Sequence, residues 1–395
     1  MQQQRRHAGV PTGGQWIAKT NPEADFELDR IPGDEDLVLP EDSSLQVVAV
    51  DPPVDPPPDP PVNSDPAPSM ADELGLAEAR ATVEALRREL VAPTAGSIGR
   101  TEMAQEAERA VTACGCRLSA KIDQVASDLE EQGVPSYEAR PQATVEVLAQ
   151  CRSLGLPDDE NLPLAPSAQK PAAAILNQAA ARFPRDWLTS PAAAGKPPLT
   201  ARVGAGRCHY SPARGKWMKV GVKEVPHRYE AFPAYALPKN AMDVKYTDDG
   251  RVSWTEIKKS QVKVYATVSE ITVPSPKRNA PYAEQVATHE LMHRLEDTNA
   301  HIPVLEKTFL VRRCVDENGH PTPTRPYLRS RTERVREGGF VDPYVGKVYN
   351  WSFTEVMSIG TEAVFTGTYG GLTGAGDHKP DPDHRAFVLG MLAVA

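Results

Sequence analysis

The chain is poor in cysteine, histidine and aromatic side chains, and it carries no excess of positive charge. Five cysteines in 395 residues, odd in number and scattered at Cys114, Cys116, Cys151, Cys208 and Cys314, exclude a disulfide scaffold. They predict reduced thiols and a cytoplasmic compartment. Cys114-Gly115-Cys116 lacks the two-residue gap of a zinc hairpin and has no second pair. The net charge of -9 argues against a nucleic-acid binder, which needs clustered positive charge to displace counterions from phosphates. No apolar stretch is long enough to span a bilayer, so no membrane helix is expected. The basic start, Met1 to His7, is followed by no apolar run, so no secretory signal is expected either. The Gly370–Gly376 loop lacks the Gly-Lys-Ser/Thr ending of a phosphate loop, and no nucleotide is assigned to it.

Proline, by contrast, is abundant and clustered, with 38 residues in all. Residues 21–60 are strongly acidic, with Arg30 the only basic residue, and they end in a run of Asp-Pro-Pro repeats. Proline fixes its own φ and disfavours helix at the preceding residue. Residues 1–70 therefore read as a disordered, acidic, proline-rich leader, extended in its last part. Residues 71–155 are rich in Ala, Leu and Glu and read as a small helical region, with helices at Thr101–Ala113, Arg117–Gln132 and Tyr137–Leu154. Residues 156–170 form a second, shorter linker. Residues 171–395 begin with a helix at Ala172–Phe183. Short β-prone runs follow at 207–210, 216–220, 252–254 and 262–268, and helical patterns dominate after residue 281. Strands followed by helices predict an α+β domain. The apolar end, Phe387–Ala395, reads as a buried terminal helix.

The chemistry concentrates in His289-Glu290-Leu291-Met292-His293. A helix over Tyr282–Asp297 puts residues four apart on one face, one turn above the other. His289 and His293 can then aim both imidazoles at one point, as a zinc site with nitrogen ligands requires. Glu290 follows the first histidine and can reach a water on the metal from the side, as a general base. Val286, Ala287, Leu291, Met292 and Leu295 give the same helix an apolar side that seats it in a core.

Two histidines need a third ligand. The metzincin pattern places Gly three residues and His six residues beyond the second histidine. Glu296 and Asn299 stand there, which excludes that class. Glu306, Asp316, Glu317 and His320 fit on spacing alone. Glu355, in the helical pattern Trp351–Glu362, is the better candidate, because a glutamate from a separate downstream helix completes sets of two histidines and one glutamate. Ser352-Phe353-Thr354-Glu355 also matches a capping box, in which Glu355 would instead hold its own helix end. Glu362, seven residues on and on the same face, is a reserve ligand or a carboxylate behind a histidine ring N–H. Tyr344, Tyr349 and His320 are candidates for steadying an oxyanion, with packing as the competing role. The arginine-rich stretch Lys307–Arg336 fits a solvated face.

The blocks His289–Glu296, Asp342–Tyr349, Thr354–Glu362 and Asp381–Gly390 resemble a zincin-like metallopeptidase domain of phage and mobile-element proteins. The tails of some phage head-morphogenesis proteins carry such a domain. The leader segment Gly9–Trp16 resembles one found on actinobacterial mobile-element and phage proteins. The resemblance covers about residues 175–395 plus that leader. It implies a zincin fold, Zn2+ as cofactor, Glu355 as third ligand and a peptide or protein substrate. It also leaves a second expectation open, a structural or assembly protein of a phage or mobile element, virion-associated, with a non-catalytic zincin fold and a partner from the same element.

Overall fold

The computed structural model describes residues 69–92, 96–157, 160–204, 208–219, 244–246, 252–254, 263–328, 333–349 and 353–395. The expected leader lies outside them but for its last two residues, as do Trp351 and Ser352. Residues Pro68–Ala395 form one compact unit of mixed helix and sheet. The helices expected at 71–155 and the elements after residue 170 therefore belong to the same body.

The helical part comprises α1 (Met70–Leu74), α2 (Leu76–Val91), α3 (Ser97–Glu131) and α4 (Ser136–Cys151). The two helices expected at 101–113 and 117–132 are one continuous α3. Gly115 costs helix propensity, yet the helix runs through it. The reason is the chain's last helix, α10 (Pro382–Val394), which packs along α3. A Cβ on Gly115 would lie 1.7 Å from the Ala386 carbonyl oxygen, and one on Gly390 would lie 2.0 Å from that of Val111. Two glycines, one on each helix, let the backbones meet. Residues His384–Val394 are all buried, as the apolar sequence predicts.

Helix α5 (Lys170–Ala180) and a short α6 (Arg185–Leu188) lead into the sheet. Its strands are β1 (Leu199–Val203), β2 (His209–Lys219) and β5 (Lys263–Val273), in the order β1-β5-β2. β1 runs parallel to β5, with Leu199 opposite Ser269, and β2 runs antiparallel to it, with His209 opposite Thr272. The runs expected at 207–210 and 216–220 thus form one strand, kinked by a register shift between Ser211 and Arg214. β1 was not expected. The stretch 156–170, expected as a linker, lies along its edge: the Ala165 N–H donates to Leu199 O and the Gln169 N–H to Ala201 O. β3 (Val244–Tyr246) and β4 (Val252–Trp254) pair separately.

Helix α7 (Ala280–Thr298) packs against α5, β2 and β5. Asn279 caps it by accepting the Tyr282 N–H, and Pro281 sits in its first turn, where its missing N–H costs nothing. Next come α8 (His301–Arg313), the strand pair β6 (Thr324–Pro326) and β7 (Arg334–Arg336), and α9 (Val356–Thr366). Every residue of α9 from Val356 to Phe365 is buried, and α9 packs on α7. The site sits where α7 meets the start of α9. Among the described residues no helix is long and apolar enough to cross a membrane.

Candidate metal centre

His289 and His293 share one face of α7, their ring centroids 4.9 Å apart. The start of α9 brings Glu355 to them. Its Oε2 lies 3.2 Å from His289 Nε2 and 3.4 Å from His293 Nε2. Glu355 is only 2% exposed; its carboxylate caps no backbone N–H of its own helix, and its Oε2 accepts the Ser358 hydroxyl at 2.9 Å. The carboxylate is turned to the histidines.

His289, His293 and Glu355 form a largely buried group able to hold a metal ion, with their ligand atoms within 4.8 Å of one another. The donor set fits. Nitrogen and oxygen ligands about 2.0–2.2 Å from a tetrahedral centre stand about 3.4 Å apart, close to the two distances above. Electrostatics points the same way. Glu355, Glu362 and Glu296 crowd two imidazoles, and buried carboxylates need a compensating cation. Burial alone would push His289 down, but hydrogen bonds to Glu355 and Glu362 raise it to about 10. His293 is likewise raised well above the usual histidine range, with Glu296 and Glu355 outweighing burial. Burial would raise Glu355, and the two histidines hold it well below the carboxylate range instead. A positive charge at this point, whether protons or a metal ion, is thus what the surroundings favour.

Each imidazole is also gripped from behind. His289 Nδ1 lies 3.2 Å from Glu362 Oε2, and Gln285 donates to the other oxygen of that carboxylate at 2.5 Å. His293 Nδ1 lies 3.1 Å from Glu296 Oε2. A carboxylate behind a ligating histidine fixes its tautomer and orientation. Glu296 is a residue to which the sequence pattern alone gives no ligand role. Its signal was there, an acid three residues after a histidine on the same helix face.

Glu290 projects from the same turn toward β2, where its Oε2 accepts the Tyr210 N–H at 2.5 Å. Tyr349 donates to Glu355 Oε1, the oxygen turned away from the histidines. Lys347 Nζ lies 3.8 Å from that same oxygen, above the Tyr344 and Tyr349 rings, and 2.5 Å from Tyr344 Oη. Tyr344 thus stands beside the site next to Lys347, a residue given no role of its own by the sequence pattern.

Other expected residues go elsewhere. The His320 imidazole is 78% exposed and stands beside Asp316 in a turn. Glu306 accepts the Met357 N–H at 2.9 Å, so it caps α9 from outside. Asp316 spends its carboxylate on the N–H groups of Asn318 and His320. His301, for which no site role is expected, is buried against Arg87. Arg312 and Arg313, expected on a solvated face, bind Glu108, Asp381 and Asp383 and tie α8 to α3 and α10.

No protein-family model, curated protein or solved structure matches the chain.

Proposed function

We propose that the protein is a zinc-dependent metallopeptidase of the zincin type. The observation that carries this reading is the largely buried His289–His293–Glu355 group, with Glu355 Oε2 3.2 and 3.4 Å from the two Nε2 atoms and a carboxylate behind each imidazole. The ligand set favours zinc, which takes imidazole nitrogen and carboxylate oxygen at an open site. When bound, the metal supplies Lewis acidity, polarising a carbonyl and acidifying water.

The chain's own residues do the rest. His289 and His293 present Nε2, while Glu362 and Glu296 lock the rings through Nδ1. Glu355 presents Oε2, and Tyr349 fixes the carboxylate by donating to Oε1. Glu290 is the general base. With Oε2 taken by the Tyr210 N–H, Oε1 is the oxygen that accepts the proton of the attacking water and passes it to the leaving amine. The substrate is a peptide or protein, and the compartment cytoplasmic or virion-associated.

The test is Glu290→Gln in the full chain, assayed on a mixed peptide library. The variant should keep its metal and lose at least 100-fold in hydrolysis, the usual worth of a positioned base. A second reading, an assembly protein of a phage or mobile element with a non-catalytic zincin fold, is favoured by one contact, the Glu290–Tyr210 bond, which serves as a structural tie between α7 and β2. On that reading wild type hydrolyses nothing, and Glu290→Gln only lowers stability.

A further inference from the structure

A cavity of about 700 Å³ opens where α2, the end of α4, α6 and the last turn of α10 converge. It is lined by Arg80, Arg87, Arg152 and Arg185, with Glu84 and Asp186 as the only acidic side chains. Four guanidinium groups thus face two carboxylates. None of the six belongs to the metal centre.

The arginines are held in place more than they are neutralised. Arg80 donates to Cys151 O at 2.6 Å and Ala393 O at 3.4 Å. Arg185 donates to Gly155 O at 3.0 Å. Arg152, only 13% exposed, donates to Leu392 O at 3.4 Å and Ala395 O at 2.6 Å and pairs with Asp186. Backbone carbonyl oxygens orient the Arg80 and Arg185 guanidinium groups but leave their charge uncompensated. Arg87 lies 3.7 Å from the same Asp186 and 3.8 Å from Glu84, itself 58% exposed, so neither contact is close. Its nearer partner is His301, at 3.3 Å from Nε to Nδ1. That imidazole stays neutral: burial, then the charges of Arg87 and Arg152, hold it well below the usual histidine range. Arg87 and Arg80 also disfavour the charge on Arg152, after burial and against the pull of Asp186. Arg80, Glu84 and Arg87 lie on one face of α2 at helical spacing.

Clustered like charges around a cavity, fixed by backbone acceptors, form a preorganised receptor for a multiply charged anion. Guanidinium forks match tetrahedral oxyanions with paired N–H donors. We propose that this cavity binds a small phosphate-bearing molecule, its phosphoryl oxygens held by Arg80, Arg87, Arg152 and Arg185.

The experiment is calorimetric titration of the full chain with inorganic phosphate, against sodium chloride of matched ionic strength. One saturable site per chain is expected for phosphate and none for chloride. Arg80→Gln and Arg185→Gln, made separately because each also holds a backbone carbonyl, should each weaken phosphate at least tenfold. The Glu355→Ala chain should bind phosphate as wild type does, which separates this cavity from the metal centre. Loss of the phosphate site in Glu355→Ala with retention in both arginine variants would overturn the assignment, as would no saturable phosphate site in the wild-type chain.

Discussion

Glu362 stands behind His289, its Oε2 3.2 Å from the Nδ1 that faces away from Glu355. One imidazole is therefore held between two carboxylates from the same stretch of chain, seven residues apart. The near carboxylate offers an oxygen that could hold a metal ion. The far one sets the ring's tautomer and angle.

Glu362→Gln should consequently keep the fold and weaken metal binding by about 10–100-fold, the usual effect of losing such an outer carboxylate. Competition with a chromophoric chelator measures it. Unchanged affinity would mean that His289 is oriented by packing alone.

Gly390→Ala should destabilise the chain by about 1–3 kcal/mol, the range for overpacking a close contact, because its Cβ would fall 2.0 Å from Val111 O. Gly195→Ala, whose Cβ would meet nothing within 4 Å, serves as the control and should change little. Thermal unfolding of the two variants beside wild type checks both statements.

The pH dependence of stability should carry the signature of His301. Its folded pKa is lowered by burial and by Arg87 and Arg152, so the unfolded chain takes up a proton at a pH where the folded chain does not. The contribution is complete above about pH 6.5, the unfolded histidine value, and is lost as pH falls below it. Wild type should lose stability between pH 7 and 5 more steeply than His301→Gln, by up to about 1.4 kcal/mol per pH unit. Urea unfolding at stepped pH reads the slope, and equal slopes would contradict the assignment of a neutral His301.

Periodicity made much of this legible. The four-residue spacing of His289 and His293 already put both imidazoles on one face, and the structure brings Glu355 to them across more than fifty residues. That closure is a tertiary event, which spacing alone left shared among Glu355, Glu306, Asp316, Glu317 and His320. His320 and Glu306 were indistinguishable from ligands until the chain path sent one to an exposed turn and the other to the end of α9. Glu296 breaks the metzincin pattern, and its three-residue distance from His293 also places it beside that ring. The gap between the expected helices Thr101–Ala113 and Arg117–Gln132 contains Gly115, whose low helix propensity is local, whereas its contact with α10 is not. β1 escaped notice because Leu199–Val203 is only five residues long and follows two prolines, a composition that reads as a turn.

The most direct test is elemental analysis of the purified full chain beside Glu355→Ala, with circular dichroism to verify that both are folded. About one zinc per wild-type chain, lost or much weakened in the variant, is the predicted result. Absence of bound metal in the folded wild-type chain after zinc is supplied, or equal zinc in both proteins, would contradict the three-ligand centre and the metallopeptidase reading with it.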